Sequence, residues 1–108
     1  MTRLLATLVA CALAGAAQAS GDAGAGKQKA SQVCAACHGP AGGKPSAPEN
    51  PILAGQHYDY LVRALKDYKS GKRENPIMKG FAASLSTQDI EDLAAWFASQ
   101  SSGLHAQR

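Results

Sequence analysis

The chain has 108 residues, which is enough for one small domain. Its 11 lysine and arginine residues stand against eight acidic ones, so the formal net charge is only +3. A nucleic-acid-binding protein needs a concentrated basic surface, and this balance argues against one. A domain this short also buries a limited core and usually needs additional stabilisation.

Residues 1–19 are predicted to be a cleaved signal peptide. A basic start, Met1–Arg3, precedes an apolar run that extends to Ala17, and Ala17-Gln18-Ala19 matches the small-residue motif at which such peptides are cleaved. The run is too short for a membrane span. We therefore expect export, with a mature domain of residues 20–108.

A lipoprotein signal is the alternative for this segment. Leu8-Val9-Ala10-Cys11 resembles the motif in which the cysteine becomes the acylated first residue. The stretch before Cys11 is very short, and cleavage there would leave further apolar residues exposed. The cleaved signal peptide is therefore favoured.

Three main helices and no strands are predicted, which makes the domain all-α. Residues 20–26 are rich in glycine and alanine and are predicted to be a flexible leader into the first helix, about Ala25–Ala35. The second helix, Gln56–Ser70, follows from apolar residues at helical spacing, and Ser86 caps the third. The connecting segments, residues 41–55 and 72–85, are rich in glycine and proline and are predicted to be loops.

The motif that carries chemistry is Cys34-Ala35-Ala36-Cys37-His38. A C-x-x-C-H run is the attachment signature of a c-type haem, in which two thiols form thioethers and the histidine ligates the iron. A thioredoxin-like pair needs a strand–helix context, and a zinc site needs a second pair of ligands at metal spacing. Neither pattern is present, so we predict one covalent haem held by Cys34, Cys37 and His38.

Met78 is the expected sixth ligand of the iron. It is the only methionine after the predicted signal peptide. It lies in a predicted loop rather than on an apolar helical face, where a core methionine belongs. A thioether opposite an imidazole is the axial pair of electron-transfer cytochromes, and it raises the reduction potential. His57 and His105 are the alternatives, which would give bis-histidine ligation.

Taken together, these features resemble the small bacterial class I cytochromes c over nearly all of the mature chain. Gly26 matches the small residue at which that family's first and last helices cross. The run Leu93-Ala94-Ala95-Trp96-Phe97 matches its C-terminal helix, where the aromatic residue at the Trp96 position packs on the first helix. The resemblance implies the class I fold, with helices and loops wrapped around one haem.

Two further segments carry the resemblance. Pro51-Ile52-Leu53-Ala54-Gly55 matches a P-x-L-x-G motif, and this implies that the Pro51 carbonyl accepts a hydrogen bond from the haem-ligating histidine. Tyr60-Leu61, Leu65, Tyr68-Lys69 and Gly71-Lys72-Arg73 resemble a branch that contains tandem dihaem cytochromes and the haem subunit of flavocytochrome c.

The function implied is periplasmic electron transfer. Two protein ligands and four porphyrin nitrogens leave no open iron position, which argues against an enzyme and for a monomeric shuttle between redox partner proteins. One alternative is a dedicated haem subunit of a hetero-oligomeric oxidoreductase, such as flavocytochrome c sulfide dehydrogenase. Another is a ligand-binding or peroxidatic haem protein. The expected docking segment, which is alternatively an ordinary solvated face, contains Lys66, Lys69, Lys72, Arg73 and Lys79.

Overall fold

The computed structural model describes residues 21–101, so the predicted signal peptide with Cys11, and also His105, lie outside it. The described part contains five helices and no strand, which confirms the all-α prediction. None of these helices is both long and apolar enough to cross a membrane. The helices are α1 (Ala23–Val33), α2 (Ala35–His38), α3 (Tyr58–Ser70), α4 (Pro76–Ala83) and α5 (Thr87–Ala98).

Helices α1 and α5 cross at Gly26. A Cβ atom added there would lie 1.9 Å from the Asp92 carbonyl oxygen and 2.9 Å from Cβ of Trp96. Only a residue without a side chain permits so close an approach. The prediction for Gly26 is confirmed, and Trp96 packs on α1 as expected, with the Lys27 ammonium 5.6 Å from its ring centroid.

One apolar core lies beneath this crossing, where α5 meets α3. The apolar face of α5 is buried, and Leu61 of α3 packs against it. Burial of this face is what holds the helices together, because short helices are marginal without tertiary packing. The buried members of the core are Ala30, Leu61, Leu85, Ile90, Leu93, Ala94 and Phe97.

The start of α1 differs from the prediction. The Asp22 side chain accepts hydrogen bonds from two N–H groups of the first turn, at 2.8 and 3.1 Å. The Asp22 N–H in turn donates to the buried Asp92 carboxylate at 2.7 Å. A flexible leader through Gly26 is therefore wrong within the described residues, because the cap and Asp92 hold this segment on α5.

The segment 72–85 also differs, because it contains a helix where a loop is predicted. The Asn75 side chain accepts from the N–H groups of Ile77 and Met78 at 3.1 and 3.0 Å, and Pro76 occupies the first turn. An asparagine cap followed by proline is a helix start signal. Met78 is thus the third residue of an eight-residue helix, α4, and not part of a loop.

The segment between α2 and α3 is a loop, as predicted, and it is tied at two points. The Gly42 carbonyl accepts from the N–H groups of Leu53 and Ala54 at 2.8 and 3.1 Å. The Gly55 N–H donates to the Phe97 carbonyl of α5 at 2.9 Å. These bonds fold the loop back over α5 and bring its middle part next to α2.

Replacing Gly26 by valine should lower the free energy of unfolding by about 3 kcal/mol or more, because the added atoms overlap α5 backbone. Gly80→Ala, within α4, is the control, since a Cβ atom there would meet nothing within 4 Å. We expect the control to change stability by less than about 1 kcal/mol. Chemical denaturation measures both, and equal effects would contradict the close crossing.

The start of α5 should make stability depend on acid pH. Backbone and hydroxyl hydrogen bonds with Ser86 and the Lys29 ion pair lower the pKa of Asp89. Its stabilisation is therefore present above the unfolded-state pKa of about 3.9 and is lost as pH falls through the lower folded-state value. Asp89→Asn should melt below wild type at neutral pH, and the gap should close in acid. Thermal unfolding between about pH 2 and 7 tests this, and a constant gap would contradict it.

Candidate functional site

A single apolar cleft collects the residues singled out by the sequence. It is walled by α3, α4 and α5 and by the loop around Pro51, and its space is about 1060 Å³, counting the part open to solvent. Its walls are mainly apolar with a few polar groups, which is typical of a pocket for an organic ligand. Cys34, Cys37, His38 and Met78 all line it, although Met78 is forty residues from His38.

The first cysteine owes its place to a break between two helices. Helix α1 ends before Cys34, whose N–H still donates to the Ala30 carbonyl at 2.9 Å. The one-turn helix α2 then carries Cys37 and His38 and ends at Gly39, which has a left-handed φ of 84°. The chain turns away sharply there, which leaves His38 buried beside the cleft.

His38 is held by one hydrogen bond that determines its tautomer. Its Nδ1 lies 2.9 Å from the Pro51 carbonyl oxygen. A carbonyl can only accept, so Nδ1 must carry the proton and donate it. The Nε2 atom is then left with its lone pair, which is the form of histidine that ligates a metal. The contact expected between Pro51 and His38 is present.

Cys37 anchors the same loop through its backbone. Its carbonyl oxygen accepts from the Ser46 N–H at 3.0 Å and from the Asn50 side-chain amide at 3.1 Å. Asn50 therefore positions the neighbouring Pro51 carbonyl over the imidazole. Asn50 is not predicted from the sequence, because an asparagine before a proline in a loop is a common turn signal and does not reveal a long-range partner.

The Cys34 thiol is unsuited to thioredoxin-like chemistry. Burial raises the pKa of the Cys34 thiol to about 11. A redox C-x-x-C pair relies on a thiolate, which a lowered pKa provides. At neutral pH this thiol is protonated and faces an apolar cleft, which favours a cysteine that is consumed in a covalent attachment.

Met78 approaches the cleft from the side of α4, which packs on α3. Its side chain is half-buried, whereas the neighbouring Ile77 and Phe81 side chains are 68% and 46% exposed although they also line the cleft. Exposed apolar side chains around a cavity fit a flat apolar group that would cover them. His57 directly precedes α3, is exposed and does not line the cleft.

Comparisons with known proteins identify the family of the chain. The family model Cytochrome c matches residues 23–101. Cytochrome c4 of Pseudomonas aeruginosa is 50% identical over 97 residues, which are 90% of this chain and 47% of that protein. Cytochrome c-554(548) of Halomonas halodenitrificans is 42% identical over 84 residues, which are 75% of this chain and 99% of that protein.

The fold is also found among solved structures. The crystal structure of reduced recombinant cytochrome c4 from Pseudomonas stutzeri matches with a TM-score of 0.70 and 43% identity, over 77% of this chain and 47% of that chain. This chain therefore spans about half the length of the cytochromes c4 that it matches. The likeness confirms the class I fold. The chain belongs to the cytochrome c family, and the cofactor that its cleft fits is a c-type haem.

Proposed function

We propose that the chain is a periplasmic electron-transfer protein that carries one c-type haem. The observation that carries this proposal is the meeting of two thiols, one imidazole and one thioether at a single apolar cleft. The predicted signal peptide supports the periplasmic location. The single C-x-x-C-H motif supports a count of one haem.

Each residue then has a distinct role. Cys34 and Cys37 would form the thioethers, and the Nε2 atom of His38 and the Met78 sulfur would be the two protein ligands of the iron. The Pro51 carbonyl orients the imidazole and increases its basicity by accepting the Nδ1 proton. The haem supplies reversible one-electron chemistry at its iron.

The residues around the cleft favour a carrier over an enzyme. With His38 and Met78 both committed to the iron, no position would remain for oxygen or a substrate. The apolar walls limit access of water, and a low-dielectric surrounding is one of the means by which a protein sets a haem potential. The task of the chain is to set that potential and to expose one edge for a redox partner.

The expected docking segment contains cations of two kinds. Lys66, Lys72 and Lys79 are exposed and suit steering of an acidic partner. Lys69 is engaged elsewhere, because its ammonium donates to the Leu85 carbonyl and joins α3 to the segment before α5. We propose that the exposed lysines receive the partner and that Lys69 is structural. The alternative of a dedicated haem subunit would show itself as co-purification with a second protein.

Replacing Met78 by alanine should abolish the ferric charge-transfer band near the red end of the spectrum, because the sulfur–iron bond would be absent. The reduction potential should fall by on the order of 0.1 V, since axial ligands tune haem over about 0.8 V. Ser84→Ala is the control, because this exposed hydroxyl at the end of α4 bonds only to the Phe81 carbonyl. If the band survives in Met78→Ala, Met78 is not the ligand.

The double variant Cys34→Ser/Cys37→Ser should lose all covalently bound haem, because no thiol would remain to form a thioether. Haem staining after denaturing electrophoresis measures the attachment. Far-UV circular dichroism should also show reduced helix content, since the apolar walls would have nothing to pack against. Cys11→Ser, in the predicted signal peptide, is the control and should attach haem normally. Persistent staining of the double variant would refute the attachment.

A further inference from the structure

We propose that Arg73 is a fixed positive charge that raises the reduction potential of the group in the cleft, and that Tyr60 and Tyr68 hold it in place. This inference rests on the proposed electron-transfer function. Arg73 would change the reduction potential of the carrier, whereas the exposed lysines nearby would receive the redox partner.

Three contacts immobilise Arg73. Its guanidinium donates a hydrogen bond from Nη1 to the Tyr60 hydroxyl at 3.2 Å. The Cζ atom lies 4.9 Å from the centroid of the Tyr68 ring, in cation–π geometry. The backbone N–H donates to the Asp67 carbonyl at 3.0 Å, which fixes the start of the side chain against the end of α3.

The position of this cluster connects it with the cleft. Tyr68 is one of the residues that line the cleft, whereas Arg73 is not. The guanidinium therefore lies against the ring of a residue that forms part of the cleft wall. An aromatic ring is poorly polarisable compared with water, so the field of the charge is screened less along this direction than through solvent.

A positive charge so placed disfavours the oxidised state. Loss of an electron makes the group in the cleft more positive, and Coulomb repulsion with a nearby cation opposes that loss. The charge of Arg73 is also permanent, because the hydrogen bond to Tyr60 raises its pKa further above an already high ordinary value. Asp67 is a nearby acidic residue, and its negative charge reduces this repulsion.

The neighbouring Lys72 provides a matched comparison. It carries the same charge one residue away and is exposed, as Arg73 is, but its side chain makes no hydrogen bond or ion pair within the described residues. A mobile exposed ammonium is screened by water and salt. The proposal therefore predicts unequal effects from two identical charge removals.

The experiment is a redox titration of the holoprotein against mediators at low and at high ionic strength, with Arg73→Gln and Lys72→Gln. At low salt, Arg73→Gln should reduce the ferrous-to-ferric ratio at a fixed mediator potential by about two- to fourfold. The Arg73→Gln shift should exceed the Lys72→Gln shift, and a larger fraction of it should persist at about 0.5 M salt. An unchanged potential in Arg73→Gln, or shifts of equal size in Arg73→Gln and Lys72→Gln, would overturn the proposal.

Two further variants separate the charge from its anchoring. Tyr60→Phe leaves the charge count unchanged and removes the hydroxyl that holds the guanidinium, so the potential should fall by less than in Arg73→Gln and become more sensitive to salt. Arg73→Lys keeps a charge without the planar stacking group, and it should give a similar intermediate value. A Tyr60→Phe potential identical to that of wild type would refute the anchoring.

Absorption spectra distinguish failure of this inference from failure of the proposed function. If the wild-type protein shows no haem spectrum with the Met78-dependent band, the proposed function is wrong. If the spectra of wild type and Arg73→Gln are both intact and the potentials agree, only the role of Arg73 is wrong. A purely structural Arg73 would lower the unfolding midpoint in Arg73→Gln and leave the potential unmoved.

Discussion

The whole domain depends on the close crossing of α1 and α5 at Gly26. This contact joins the beginning and the end of the described chain and has almost no tolerance, because backbone and the Trp96 side chain occupy the space that a Cβ atom would need. The carboxylate of Asp92 adds a polar contact at the same place by receiving the Asp22 N–H. With the two terminal helices fixed against each other, the rest of the chain is left to enclose a cleft.

That cleft is built from segments that cannot hold their places alone. The one-turn helix with Cys37 and His38 is too short to be stable in isolation, and the following loop has little regular structure. They stabilise each other through the hydrogen bonds between Pro51 and His38 and between Asn50 and Cys37. The same bonds that order the loop also select the imidazole tautomer, so stability of the site and its ligand chemistry have one cause.

The cations of α3 and the turn after it illustrate how context divides one type of charge into several uses. Lys69 reaches the Leu85 carbonyl and ties α3 to the segment before α5. Arg73 lies along α3 between two tyrosines, and the exposed lysines remain available to solvent and partners. A segment that is rich in cations in the sequence therefore contains a lysine that joins two elements, an anchored arginine and several exposed lysines.

The attachment motif, the candidate sulfur ligand Met78 and the long helices α3 and α5 could all be predicted from the sequence. Each is recognised from neighbours within a few residues. It did not reveal the helix that carries Met78, since eight residues with a glycine near the middle give too short a periodic pattern. The early start of α1, the Asn50 contact and the place of Arg73 were decided only by tertiary structure. Each depends on a partner distant in the chain, such as Asp92, or on a side chain that folds back over a helix already formed.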